Sequence, residues 1–194
     1  MFMLGTVGIG FLYNIKAGLI ILVSNIIASL INGLIYRGKN KYVSQKNFTY
    51  KSQTNNLSDC VYDSLISILM VGAYITLSFI LIELLTNIGV LNFLTNIICC
   101  VLRIKNSHDI VLSILKGCLE ITSGIANLSL TNANLFLKTI ISSSLIGFGG
   151  ISIILQNINF INKLQISVKT IFLQKFTQCV ICLITTTILC FIFL

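Results

Sequence analysis

Long apolar stretches dominate this chain. They limit it to folds in which much of the protein surface contacts lipid. Of its 194 residues, 56% are hydrophobic and only 9% are charged, whereas a soluble domain has about 25% charged residues. Thirteen basic and five acidic side chains are too few to cover a soluble globule of this length. The sequence therefore predicts an integral membrane protein whose main partner is the lipid bilayer.

Three stretches are long and apolar enough to span a bilayer at about 20 residues per crossing. They are residues 17–36, 61–85 and 176–194. Residues 1–14 are apolar but too short to span, and residues 87–102 are predicted to lie along the interface or to cross as a tilted helix. We therefore expect an all-α fold, a polytopic helical bundle that forms a single membrane domain over residues 1–194.

A basic loop separates the first two spans and gives a topology signal. Residues 37–58 include five basic residues and no acidic one, which places the loop in the cytoplasm by the positive-inside rule. Lys163, Lys169 and Lys175 precede the last span and are interpreted as marking the membrane surface of a multi-pass cell-membrane protein. Because the basic residues flank apolar segments and form no groove interleaved with aromatic residues, we do not expect nucleic acid as a partner.

The first span has a polar face. Asn25, Ser29 and Asn32 follow i, i+4, i+7 spacing and therefore lie on one side of a helix. A polar face in lipid normally packs against other helices, and this is the interpretation we prefer. A face that lines a transport pathway is the alternative.

Two further apolar segments contain glycine and polar residues near their middle. Residues 110–130 include Lys116, Gly117, Glu120 and Gly124, and residues 136–155 include Ser142–Ser144 followed by Gly147–Gly150. A short polar link joins the two segments. Because the chain has no proline, glycine and serine must cause any break in these helices. The pattern predicts two broken or re-entrant helices that form a hairpin.

The broken segments are also where a binding site is expected. Non-helical backbone survives at membrane depth only inside protein or beside water, and such breaks build the midplane sites of transporters. A carboxylate there is costly unless it is paired or hydrated, so Glu120 is the leading candidate for contact with a solute. In the structural alternative, Lys116 pairs with Glu120, and Gly124 and Gly149 serve only close helix packing.

The sequence gives little support for an enzyme. His108 is the only histidine, and neither a P-loop nor a G-x-S-x-G turn is present. Cys179 and Cys182 have CxxC spacing, but they lie in an apolar helix without a second pair and are interpreted as small apolar residues. We expect no catalytic residues, no cofactor and no metal site.

Three short motifs in order resemble one known family. The stretches Phe2–Gly8, Leu119–Gly124 and Leu145–Ser152 resemble motifs of the YlbJ-type sporulation integral membrane proteins. These belong to a wider group that has the nucleoside-recognition, or Gate, domain. The resemblance covers nearly the whole chain but only the C-terminal half of family members, so it predicts either a fragment or a missing N-terminal half supplied by a second membrane chain.

The resemblance implies a role in forming the endospore cortex, with a transporter-like fold that recognises or moves a small polar solute. The alternatives are a non-transporting scaffold for the cortex machinery, or an inactive fragment of a longer protein. The motif positions that the resemblance assigns to the candidate solute site are Glu120, Thr122, Gly124, Gly147, Gly149, Gly150 and Ser152.

Overall fold

The protein is a bundle of helices in a computed structural model that describes residues 2–37, 57–103, 107–161 and 168–194. Every regular element in these ranges is helical. A π-helix, Phe2–Phe11, comes first. The α-helices that follow are α1 (Ile15–Ile35), α2 (Leu57–Asn87), α3 (Val90–Leu102), α4 (His108–Leu119), α5 (Ile121–Leu130), α6 (Leu135–Phe148), α7 (Gly150–Ile161) and α8 (Val168–Phe193).

The predicted fold class, an all-α integral membrane bundle with broken helices, is confirmed. Four helical stretches in the described ranges are long and apolar enough to cross a membrane: Ile15–Ile35, Leu57–Asn87, Leu135–Asn157 and Val168–Phe193. The third joins α6 to α7 across a break, and the α4–α5 segment is divided into two short helices. Most large apolar side chains on α2 are exposed, as expected for a surface that faces lipid.

Helices α1, α6 and α8 form the centre of the bundle. Ser143 of α6 joins all three, because its hydroxyl accepts from the Asn25 amide (3.0 Å) and lies 3.0 Å from the Ser24 hydroxyl and 2.7 Å from the Thr186 hydroxyl. All four side chains are buried. In lipid, such hydrogen bonds and close packing hold helices together, because apolar surface alone gives no preference for protein over lipid.

The polar face of α1 packs against α8, as the helix-packing interpretation requires. The Cys182 thiol donates to the Asn25 side-chain oxygen (3.2 Å), and the Gln178 amide donates to the Ser29 hydroxyl (3.1 Å). One turn further along α1, Asn32 donates to the Gln174 carbonyl (3.1 Å). Later residues of α1 contact earlier residues of α8, so the two helices are antiparallel.

Three consecutive threonines lie within α8, one of the four candidate membrane spans. The hydroxyls of Thr185, Thr186 and Thr187 donate to the carbonyls of Ile181, Cys182 and Leu183, each four residues earlier, at 2.6–2.9 Å. Each hydroxyl is therefore satisfied within its own helix.

We expect Ser143→Ala to destabilise the bundle by about 0.5–1.7 kcal/mol, the range found for hydrogen bonds between membrane helices. Ser24, Asn25 and Thr186 each keep a backbone acceptor, which limits the loss. The matched control is Ser144→Ala, because within the described part of the chain the Ser144 hydroxyl bonds only to the Ile141 carbonyl of its own helix. The measurement is thermal unfolding in detergent, followed with a thiol-reactive dye that labels buried cysteines as they become exposed. Equal midpoints for the two variants would contradict the three-helix network.

The π-helix folds back onto α1. Asn14 begins α1 by accepting hydrogen bonds from the backbone amides of Lys16 (2.9 Å) and Ala17 (3.2 Å). A Cβ added at Gly8 would lie 2.6 Å from the Gly18 Cα, so glycine is needed where the two backbones cross. Val7 of the π-helix then belongs to a buried cluster with Ile21, Ile125 and Leu145.

The remaining elements lie beside this bundle. Helix α2 is exposed except along one face, where Ser67, Tyr74 and Ser78 are half-buried. The structure describes a separate helix, α3, within the 87–102 segment. Residues 38–56, which make up most of the basic loop, and Lys163 lie outside the described residues.

Candidate functional site

Helices α4 and α5 form a re-entrant hairpin with its tip at Glu120. The Glu120 backbone is extended (φ −143°, ψ 124°), and α5 turns back along α4. A Cβ on Gly124 would overlap the Gly117 backbone, and the Asn127 amide reaches the Ser113 hydroxyl at 3.4 Å. The arms have 12 and 10 residues, or about 18 and 15 Å. Each arm is therefore about half as long as a bilayer core is thick.

The Glu120 carboxylate caps the second arm of this hairpin. One oxygen, Oε1, accepts from the Thr122 amide (3.0 Å) and the Thr122 hydroxyl (2.7 Å), and Oε2 accepts from the Ser123 amide (2.6 Å). The side chain is only 6% exposed. It therefore satisfies two of the orphan amides at the start of α5, where the helix dipole also favours a negative charge. A carboxylate has about four acceptor positions, so capacity for one more donor remains.

The second break lies between α6 and α7. Gly149 and Gly150 both have left-handed backbones, with φ of +87° and +66°. The Gly149 amide donates to the Leu145 carbonyl (2.9 Å), which closes α6, and α7 then departs in a new direction to pack against α2 and α4. Glycine is the residue that adopts such a backbone without strain.

The two breaks meet in space. A Cβ added at Gly150 would lie 3.3 Å from the Leu119 carbonyl oxygen and 3.4 Å from that of Gly117. The end of α4 and the start of α7 are therefore in direct contact. Helix termini have free carbonyl and amide groups, so this junction brings together backbone groups that can bind a polar ligand.

One curated protein is similar to this chain. It is the sporulation integral membrane protein YlbJ of Bacillus subtilis (strain 168), which is 26% identical over 204 aligned residues. The alignment covers 92% of this chain and 50% of that protein, so the chain spans about half the length of its curated relative. No family model matches the chain. No solved structure matches it either.

YlbJ is described by its name as an integral membrane protein, which agrees with the four long apolar helices of this chain. The chain is accordingly a distant relative of a sporulation membrane protein, and its location is the membrane.

The structure brings only part of the predicted site together. Glu120, Thr122 and Gly150 lie at the junction of the two breaks, and Gly149 shapes the break beside it. Gly124 lies further down the hairpin, where it contacts α4.

The other two predicted residues serve packing or a separate hydrogen bond. A Cβ on Gly147 would lie 2.7 Å from the Cys182 sulfur, so this glycine allows α6 to approach α8. Ser152 is buried in α7, and its hydroxyl accepts from the Gln156 amide at 3.4 Å.

The expected alternative, pairing of Lys116 with Glu120, is not observed. Within the described ranges, the one contact between a basic and an acidic side chain within 4.0 Å is between His108 Nδ1 and Asp109, at 3.6 Å. The Glu120 carboxylate instead uses donors of its own helix.

Two polar residues near the breaks were not predicted as site residues. Ser142 is fully buried, and its hydroxyl has no hydrogen-bond partner among the described residues. It lies one turn before Leu145, which contacts Gly117 of the hairpin, so both residues lie on the same side of α6. Lys175 of α8 was interpreted as a surface marker. Its Nζ lies 3.8 Å from the position that a Cβ on Gly149 would occupy.

Proposed function

We propose that this protein acts in sporulation, without catalysis, by binding a small polar solute where its two helix breaks meet. The observation that carries the proposal is the contact of Gly150 with the Leu119 and Gly117 carbonyls. Discontinuous helices in membranes leave backbone groups available for ligands near the bilayer midplane. The half-membrane length of the hairpin arms is consistent with a tip at that depth.

Two side chains support a polar ligand at this junction. The Glu120 carboxylate has three donors and can accept one more hydrogen bond. The buried Ser142 hydroxyl lacks the partner that buried polar groups normally have, so a solute or water molecule would satisfy it. A neutral solute with hydroxyl or amide donors fits the free acceptor position of Glu120 best.

The biological context of the proposal comes from similarity. YlbJ is a sporulation protein by name, and the motif resemblance supports the proposal of an effect at the spore cortex. Because that relative is about twice as long, we also propose that a second membrane segment of similar size works with this domain. The basic loop is proposed to face the cytoplasm.

A structural role is the competing function, and one observation favours it. Glu120 already caps α5, so its carboxylate could be required for folding alone, in a protein that acts as a scaffold for assembly of the cortex machinery. The experiment must therefore separate capping from solute binding.

We expect Glu120→Gln to reduce the yield of heat-resistant spores in the native host while the protein still accumulates in the membrane. Glutamine retains one carbonyl oxygen for the cap but loses the charge and the second capping acceptor, so the amount of folded protein is measured alongside. A charged hydrogen bond to a solute is worth about 1.5–3 kcal/mol, which corresponds to an affinity loss of roughly ten- to a hundred-fold. The readouts are spore counts after heating and the amount of protein in the membrane.

Two further variants complete this test. Glu83→Gln is the matched control, since Glu83 is an exposed acid on α2, and it should leave sporulation unchanged. Glu120→Ala removes the cap and should also lower the stability of the protein by about 0.5–2 kcal/mol, which is measured as a lower thermal midpoint. Normal spores from Glu120→Gln would exclude the carboxylate from solute binding and leave the scaffold role.

A further inference from the structure

A polar cavity lies between α1 and α8, and one of its lining residues, Lys175, reaches the α6–α7 break at Gly149. Its volume is about 400 Å³, within the range of small-ligand sites. Its polar lining consists of Ser29, Asn32, Tyr36, Gln174, Lys175 and Gln178. We call it the α1–α8 cavity. It lies at the end of α1 that leads to Arg37 and the basic loop.

Among the described residues that line the cavity, Lys175 is the only charged one. Its side chain is half-buried, and no carboxylate in the described part of the chain lies within 4.0 Å of its amino group. A partly buried charge without a counter-ion is costly. The end of α6 compensates some of this cost, because Lys175 Nζ lies near Gly149 and the carbonyls at a helix C-terminus attract a cation.

The other polar groups of the cavity leave an excess of donors. The Ser29 hydroxyl donates to the Asn25 carbonyl (2.8 Å) and accepts from Gln178 (3.1 Å). Asn32 uses both ends of its amide, donating to the Gln174 carbonyl and accepting from Thr177 (2.9 Å). Lys175 and the side-chain amide of Gln174 make no such bond within the described residues; Lys175 has three donors, and the amide has two donors and one acceptor oxygen.

We propose that the α1–α8 cavity binds an oxyanion of the phosphate class, with Lys175 as its counter-charge. Lysine binds phosphate as a point charge, and neutral amides supply hydrogen bonds to the remaining oxygens. Two sources present this chemistry at a membrane surface: free phosphate compounds and the headgroups of anionic lipids. This proposal does not depend on the solute site at the helix breaks.

Ligand-dependent thermal protection of the 194-residue chain tests this proposal. In detergent, inorganic phosphate is titrated against chloride at matched ionic strength, and unfolding is followed with a thiol-reactive dye. In a second arm, nanodiscs of phosphatidylcholine alone are compared with nanodiscs that also contain phosphatidylglycerol. Binding stabilises the folded state in proportion to the logarithm of ligand concentration, so the thermal midpoint should rise by a few degrees at saturation.

Matched variants locate the effect in the cavity. Lys175→Gln should lose the protection, whereas Lys169→Gln, which alters an exposed lysine of the same helix, should keep it. Gly33→Leu provides a test that does not remove the charge. Gly33 lines the cavity, and a Cβ there meets nothing within 4 Å, so leucine can fill the space without a clash. Gly72→Leu on α2 is the control, at another open glycine.

The outcomes separate the two sources. Protection by inorganic phosphate that requires Lys175 supports a soluble ligand, and protection only by phosphatidylglycerol that requires Lys175 supports a lipid headgroup. The proposal is overturned if neither ligand protects the wild type. It is equally overturned if Lys175→Gln and Gly33→Leu are protected as well as their controls, in which case Lys175 only stabilises the end of α6.

Discussion

Replacing Gly124 by leucine is expected to abolish the re-entrant hairpin. A Cβ at this position would overlap the Gly117 backbone and lie 2.8 Å from the Ser113 carbonyl oxygen. Backbone atoms of a packed helix cannot move aside as a flexible side chain can. Overpacking in well-packed sites costs about 1–3 kcal/mol, and the whole leucine side chain here must push α5 away from α4. We therefore expect at least this loss, or failure to accumulate as folded protein.

The comparison for this prediction is Gly72→Leu. Gly72 lies in α2, where an added Cβ meets nothing within 4 Å, so leucine there should be neutral or improve helix stability by up to about 1 kcal/mol. Both variants are measured by thermal unfolding in detergent and by labelling of Cys118, which is half-buried in α4 beside the tip. Similar midpoints and similar labelling would mean that α4 and α5 do not approach as closely as described.

Gly150→Ala is expected to separate the two helix breaks. Its backbone has φ +66°, so any L-residue is strained there by about 1–2 kcal/mol. The new methyl group would also press on the Leu119 and Gly117 carbonyls at 3.3–3.4 Å. We expect a loss of stability and, because the proposed solute site lies at this contact, a loss of heat-resistant spores.

Gly89→Ala is the control that separates loss of the junction from backbone strain alone. Gly89 precedes α3 with φ +86°, and a Cβ there meets nothing within 4 Å. It therefore incurs the same backbone strain without touching the junction. We expect Gly89→Ala to have a thermal midpoint similar to that of Gly150→Ala. Its spore yield should nevertheless stay close to that of the wild type. If both variants reduce spore yield in step with their stability, the junction has no role beyond folding.

The broken helices could be predicted because their causes are local. Glycine and serine interrupt the two apolar segments in a chain that has no proline, and lipid forces such interruptions into protein contacts. The polar face of α1 was predictable for the same reason, since helical spacing alone brings Asn25, Ser29 and Asn32 together.

The tip of the hairpin and its surroundings depend on information that local spacing does not contain. Glu120 marks the sharp turn because its carboxylate caps α5. Since glutamate is not among the preferred N-cap residues, its sequence position does not reveal the role. Lys175 is 26 residues from Gly149, and only the antiparallel packing of α6 and α8 brings them together. Ser142 stands out only once its burial and lack of a partner are known.

The contrast between α8 and the re-entrant hairpin has a consequence for biogenesis. Because the threonine hydroxyls of α8 bond within their own helix, this span can leave the translocon as a stable unit and associate with its neighbours afterwards. The hairpin cannot do so, because its tip requires contacts with Gly150, which is synthesised about 30 residues later. The contact between the end of α4 and Gly150 can therefore form only after α6 and the start of α7 have been synthesised.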